Sequence, residues 1–150
     1  MSNKYFIYFS ATGNGDFLAE CLKTKLYTPI KVEMAKPIGK MSFFKILRYG
    51  GKAMVNQKAK IKEIDLSLEK DDEVIIGSPI WNDRLSTPIN AVLAKFDFNK
   101  ETTEFVLYPA GSGTKKSLKQ LKKLGFTKEP LVITYPLKNQ DIAKELLKKF

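Results

Sequence analysis

Residues 4–22 read "KYFIYFSATGNGDFLAECL", and the three parts of this stretch set the fold. Tyr5–Phe9 is a short apolar run of aromatic and β-branched side chains, which favours a strand. Ser10–Gly15 follows with two hydroxyls, an amide, two glycines and neither Lys nor Arg. From Asp16 onward the apolar spacing becomes helical, with Leu18, Cys21 and Leu22 on one side. A strand, a tight polar turn and a helix in this order open a βαβ unit.

Three more apolar runs lie downstream: "DEVIIGSP" near residue 75, "EFVLYPAG" near 106 and "PLVITYPL" near 133. All are continuous rather than alternating, so they read as strands buried on both faces, and such strands belong in a parallel sheet. A weaker run, "PIKVEMA" around Val32, alternates and suits a sheet edge. Helical patterns separate the strands. "TPINAVLAKF" aligns Ile89, Val92 and Leu93, while "SLKQLKKLG" aligns Leu118, Leu121 and Leu124 and predicts a left-handed cap at Gly125. "NQDIAKELLKKF" aligns Ile142, Leu146 and Leu147, with Asp141 early and Lys148 and Lys149 late, as the helix dipole favours. The alternation predicts an α/β doubly wound sandwich, a parallel sheet with helices on both faces. The segment 41–64, "MSFFKILRYGGKAMVNQKAKIKEI", inserts a helix-like "SFFKILRYGGKAMV" and then a basic stretch, and reads as an elaborated second crossover within one domain spanning 1–150.

Composition narrows the chemistry. Of 150 residues, 43% are hydrophobic and 28% charged, as in soluble globular proteins. No apolar run approaches the ~20 residues of a membrane span, and "MSNK" carries no cleavage motif, so a cytoplasmic protein without membrane contact is expected. The chain has one cysteine and no histidine. That rules against a disulfide, a zinc site and Ser-His or Cys-His catalysis, and Cys21 reads as a packing residue. No catalytic or metal-ligating residue is assigned. The net charge of +10 comes from 26 Lys and Arg against 16 Asp and Glu. The lysines are spread over amphipathic elements, the arginines are only Arg48 and Arg84, and no aromatic-basic interleaving occurs, so nucleic acid is not the expected partner.

In a doubly wound sheet the turn after the first strand opens where the next helix presents unpaired N–H groups, a setting that holds an anion without a lysine. Ser10 and Thr12 add hydroxyls, Asn14 an amide, and Gly13 and Gly15 let the backbone curl close to phosphate oxygens. Neither Gly-Lys-Ser/Thr nor G-x-G-x-x-G is present, which leaves a monophosphate as the anion of choice. The same residues also suit an ordinary βα turn in which Thr12 and Asn14 cap the helix.

Three loops together resemble a known family. "FSATGNG" resembles the phosphate loop of flavodoxins, usually Thr/Ser-x-Thr-Gly-Asn-Thr. "GSPIWNDRLSTPINAVL" is similar to the family's Gly-Ser/Thr-Pro-x-Trp loop and helix, and "PAGSGTKKSLKQLKKL" to its Gly-x-Gly loop and helix. "FFKILRYGGKAM" resembles the crossover of one subgroup. The resemblance implies a flavodoxin-like five-stranded sheet of order 2-1-3-4-5, with FMN at the switch point between strands one and three; flavodoxin with FMN is a standard illustration of that rule. It assigns Ser10, Ala11, Thr12, Gly13, Asn14 and Gly15 to the phosphate. Pro79, Ile80, Trp81 and Asn82, with Ala110, Gly111, Ser112 and Gly113, would flank the ring. Trp81 would stack on it, Asn82 would turn a carbonyl toward N5 from a positive φ, and Asp83 near the pyrimidine edge would disfavour a reduced anionic ring.

The function implied is electron transfer between redox proteins, with FMN as cofactor. The alternative on the same fold is an NAD(P)H-dependent quinone or flavin reductase, and a third reading is a basic module binding RNA or polyphosphate. Three features depart from the family pattern: Gly15 stands where Thr is usual, no Tyr lies inside the third loop although Tyr108 precedes it, and the chain is basic where flavodoxins are acidic. Expected partners are therefore acidic ferredoxin-like carriers or a flavodoxin reductase.

Overall fold

A computed structural model describes residues 2–35, 59–111 and 113–150. Its strands are β1 (Lys4–Tyr8), β2 (Thr28–Lys31), β3 (Glu73–Trp81), β4 (Arg84–Leu85), β5 (Glu104–Pro109) and β6 (Leu131–Val132). The helices are α1 (Asn14–Lys23), α2 (Thr87–Lys95), α3 (Lys115–Lys123) and α4 (Gln140–Leu146), which continues as a 3-10 turn over Leu147–Lys149. The sheet runs β2-β1-β3-β5-β6, all parallel, with β4 paired antiparallel to the end of β3. Leaving out that short hairpin arm, the order is the expected 2-1-3-4-5 of a flavodoxin-like fold.

Continuous apolar strands work because successive side chains leave opposite faces. On β1, Phe6 and Tyr8 enter one core with Leu18, Ala19 and Leu22 of α1 and Ala143 of α4. Ile7 enters the other with Ile89 and Val92 of α2 and Leu121 of α3. β5 divides the same way, Val106 and Tyr108 against Phe105 and Leu107. Each such aliphatic or Phe side chain contributes about 1.5–3 kcal/mol when fully buried, so both helical layers are fastened through the same strands.

β2 lies at one edge, as its alternation predicts. β6 departs from expectation, being a two-residue strand at the other edge with Val132 exposed, although Ile133 is buried and donates its N–H to Leu107 O at 2.9 Å. An edge strand has one pairing partner, and here a turn takes over at Tyr135, whose φ is 46°. α3 ends as predicted, with Gly125 at φ 95°. α4 buries Ala143, and the turn after it buries Leu147, while Ile142 and Leu146 face outward, so the face read from Ile142 and Leu146 is corrected by one position. Cys21 is half-buried between α1 and α4, and burial raises its thiol pKa. No helix among the described residues is long and apolar enough to cross a membrane. The crossover "FFKILRYGGKAM" and Arg48 lie outside the described residues.

Candidate functional site

Four connections meet beyond the carboxyl ends of the parallel strands: Ser10–Gly13 after β1, Asn82–Asp83 after β3, 110–114 after β5 and 134–139 after β6. A cleft of about 450 Å³ opens among them, lined by Thr12, Asn14, Ile80, Asn82, Ala110, Tyr135, Leu137 and Lys138. Its size is within the roughly 300–1,000 Å³ of small-molecule sites.

The first turn is shaped by two glycines with different tasks. Gly13 sits at the head of α1 with φ 92°, a left-handed conformation that strains any residue with a Cβ. Gly15 is buried, and a Cβ there would lie 2.7 Å from Tyr108 Oη, 2.9 Å from Ser10 Cβ and 2.9 Å from Tyr8 Cδ2. Two departures from the flavodoxin pattern are thereby one feature. The Tyr108 phenol donates to Phe9 O inside the core and fills the space a Thr at position 15 would need. Tyr108 does not reach the cleft, and burial holds its pKa well above the ordinary value.

Ser10 Oγ accepts the N–H groups of Gly15 (3.1 Å) and Asp16 (3.3 Å), so Ser10, rather than Thr12 or Asn14, satisfies the head of α1, and its own proton is left to donate. Asn14 Nδ2 donates to Thr12 Oγ1 (3.3 Å), and Asn14 Oδ1 accepts the Leu137 N–H (3.0 Å), which ties the first turn to the last. The N–H groups of Ala11, Thr12, Gly13 and Asn14 donate to no group among the described residues. Asp16, the acid in the first turn, is held by Tyr8 Oη (3.0 Å) and neutralised by Lys31 Nζ (3.0 Å). Burial first, and then this bond to Asp16, raise the Tyr8 pKa, so the phenol stays a donor. N–H groups without an acceptor among the described residues, two hydroxyls and a compensated carboxylate fit a phosphate monoester.

After β3 the chain makes a two-residue hairpin. Asn82 (φ 50°) and Asp83 (φ 64°) both take left-handed conformations, and Trp81 pairs with Arg84 across them. This is the Asn/Asp-rich turn that matches strand twist, and "WNDRL" carried its signal in the sequence. The positive φ expected of Asn82 is present. Trp81, expected to stack on the ring, is 5% exposed, packs edge-on to Phe9 at 5.7 Å and 89°, and is not among the cleft's lining residues. A side chain at the last pairing position of a central strand points into a core layer, and a large aromatic gains most there. Pro79 is half-buried in β3, and Ile80, nearly fully buried, forms the cleft floor.

Ala110 and Gly111 (φ 81°) are exposed after β5, and Gly113 is exposed before α3. Ser112 lies outside the described residues. The structure therefore brings Thr12, Asn14, Ile80, Asn82 and Ala110 to one cleft, with Ser10, Ala11, Gly13 and Gly15 framing it from the first turn.

Tyr135, Leu137 and Lys138 were missed because "PLVITYPL" reads as one strand. The signal that ends it is Tyr-Pro, since a proline restricts the residue before it and donates no N–H. Tyr135 is half-buried at the cleft wall, held by Lys138 and Asn139 N–H bonds to its carbonyl, both 3.0 Å, with Lys138 Nζ 5.3 Å from its ring centre. No group of three or more Cys, Asp and Glu ligands suited to a metal occurs among the described residues.

No known protein family matches the sequence, and no curated protein matches it significantly. Solved structures do. A Bacteroides uniformis protein provisionally named a flavoprotein superposes with a TM-score of 0.75 at 18% identity, covering 99% of each chain. A second such protein, from Bacteroides eggerthii, gives 0.66 at 22% identity over 89% of each. A Lactobacillus acidophilus flavoprotein in complex with FMN gives 0.63 at 17% identity, over 94% of this chain and 98% of that one. At these identities the likeness establishes the flavodoxin-like fold.

Proposed function

We propose that this chain is an FMN-binding flavoprotein that passes electrons between protein partners. The observation that carries the reading is the turn after β1, whose N–H groups from Ala11 to Asn14 find no acceptor among the described residues and whose hydroxyls stand without a cation at the switch point, beside a cleft of about 450 Å³. A fold shared with a flavoprotein in complex with FMN supports it. Ser10 to Gly15 would hold the phosphate, while Ile80, Asn82, Ala110 and Tyr135 would bound the ring. The cofactor supplies the redox chemistry, and the chain binds it, orients it and limits its contact with water. The lone Cys21 thiol suits the reducing cytoplasm.

Titration of the apo protein with FMN should quench flavin fluorescence with one-to-one stoichiometry, and riboflavin should bind far more weakly because it lacks the phosphate. Equal affinity for both would sink the phosphate assignment. The reductase alternative is tested by stopped flow, since rapid bleaching of the bound flavin by NADH or NADPH alone would replace the carrier reading.

A further inference from the structure

Helix α3 departs from the charge pattern of α1 and α4. α1 has Asp16 in its first turn and pairs Lys23 with Glu20 at 3.0 Å, and α4 starts with Asp141. α3 contains Lys115, Lys116, Lys119, Lys122 and Lys123 and no acidic residue. All five are exposed, and none meets a carboxylate among the described residues. Lys115 and Lys116 sit at the positive end of the helix dipole, where a cation costs about 0.3–1 kcal/mol. Lys119 repels Lys115, Lys116, Lys122 and Lys123 at three- and four-residue spacing. Lys122 and Lys123 in the last turn suit the dipole, and the Asp83 carboxylate lies beside the head of the helix, 3.6 Å from where a Gly113 Cβ would stand, but among the described residues no ion pair offsets the mutual repulsion of the lysines.

The position of the helix gives the pattern a use. Its first turn follows the loop that begins at Ala110 in the cleft wall, and Ser117 N–H donates to Asp83 O at 2.8 Å, which locks the helix to the turn containing Asn82. Lys138 stands in the cleft lining. The lysine face of α3 thus begins at Lys115, one short connection after Ala110 of the cleft wall. We propose that the lysine face of α3 is the docking surface for an acidic redox protein, steering its electron-exchanging group to the cleft. This rests on the flavin reading of that cleft.

A protein rather than a nucleic acid is favoured by the residue types. The helix has no arginine to fork onto phosphates and no aromatic ring on which a base could stack. Exposed lysines serve long-range attraction, which raises encounter rates by about 10–1,000-fold and fades as salt shortens the screening length to ~8 Å.

The test uses the full-length holoprotein and a purified acidic plant-type ferredoxin as probe. The triple variant Lys115→Gln/Lys116→Gln/Lys119→Gln is compared with Lys23→Gln/Lys70→Gln/Lys128→Gln, which removes equal charge elsewhere. At low salt the α3 triple should lose about tenfold or more in the second-order electron-exchange rate, with a flatter salt dependence, and the control less than twofold. The α3 triple should also melt no lower than wild type, because repulsions have been removed. Calorimetric titration with oxidised ferredoxin reads docking independently of flavin, and FMN affinity is measured beside it, so a failure of cofactor binding is told apart from a failure of docking. Equal losses in both triples, no saturable wild-type binding, or tighter binding to a single-stranded oligonucleotide than to ferredoxin would each overturn the proposal.

Discussion

The turn after β1 and the loop after β3 were read from the sequence as parts of one ligand cradle, and the structure builds them on opposite plans. The first leaves the N–H groups of Ala11 to Asn14 without an acceptor among the described residues, next to an Asp16 carboxylate paired with Lys31. The second turns its large side chain inward, burying Trp81 against Phe9 and leaving Asn82 at the cleft. Backbone-made recognition follows from which residues allow a conformation, and Gly and Asn announce that in the sequence. Side-chain recognition depends on which way a residue points, and that is decided by sheet pairing far away in sequence.

The largest effect should come from breaking the second region. Trp81→Ala removes a buried indole and should cost about 3–5 kcal/mol in urea unfolding of the apo protein, as large-to-small core changes do. A variant that kept its stability while altering flavin properties would put the indole back on the ring and erase the contrast between the loops. Next comes Gly15→Ala, whose Cβ meets three atoms at 2.7–2.9 Å. Overpacking of this kind costs about 1–3 kcal/mol. Adding Tyr108→Phe relieves the nearest clash but leaves those with Ser10 and Tyr8 and removes the donor to Phe9 O, so a double-mutant cycle should show partial recovery only.

Much of the fold was legible because it is written twice. Phe6, Ile7 and Tyr8 form an unbroken apolar run only if both faces are covered, and the helices that cover them carry matching apolar stripes. Extents and directions were less legible. "PLVITYPL" has the composition of a central strand, yet its place at the edge gives Leu131 and Val132 one neighbour and frees Thr134–Asn139 to become a cleft wall. α4 is seven residues long, too short for periodicity to separate Ile142/Leu146 from Ala143/Leu147 as the buried stripe. The left-handed turn at Gly13 was legible because backbone conformation, unlike indole direction, is a local property. Even there the bonding partners differ, with Ser10 rather than Thr12 satisfying the head of α1.

Gly13→Ala sharpens that local claim. Its φ of 92° is left-handed, so a methyl group should cost about 1–2 kcal/mol although Leu137 Cδ2, at 3.5 Å from the added carbon, leaves room for it. If backbone shape is what holds the phosphate, FMN affinity should fall while riboflavin binding stays unchanged. A loss shared by both ligands would mean that the turn supports the whole cleft and has no special relation to the phosphate.

The smallest expected change is the most discriminating. Asn14 has no core contact to lose, yet its Oδ1 accepts the Leu137 N–H at 3.0 Å and so joins the turn after β1 to the wall made by Tyr135, Leu137 and Lys138. An exposed hydrogen bond contributes only about 0.5–1.5 kcal/mol net, so Asn14→Ala should leave the unfolding midpoint almost in place. Its effect should appear locally, as roughly fivefold faster hydrogen exchange at the Leu137 amide, the ratio that ~1 kcal/mol represents. FMN affinity should fall with it, because the phosphate turn and the ring wall would no longer be held in register. Faster exchange without any change in affinity would show that the two regions bind independently, and the first turn would then act without the last.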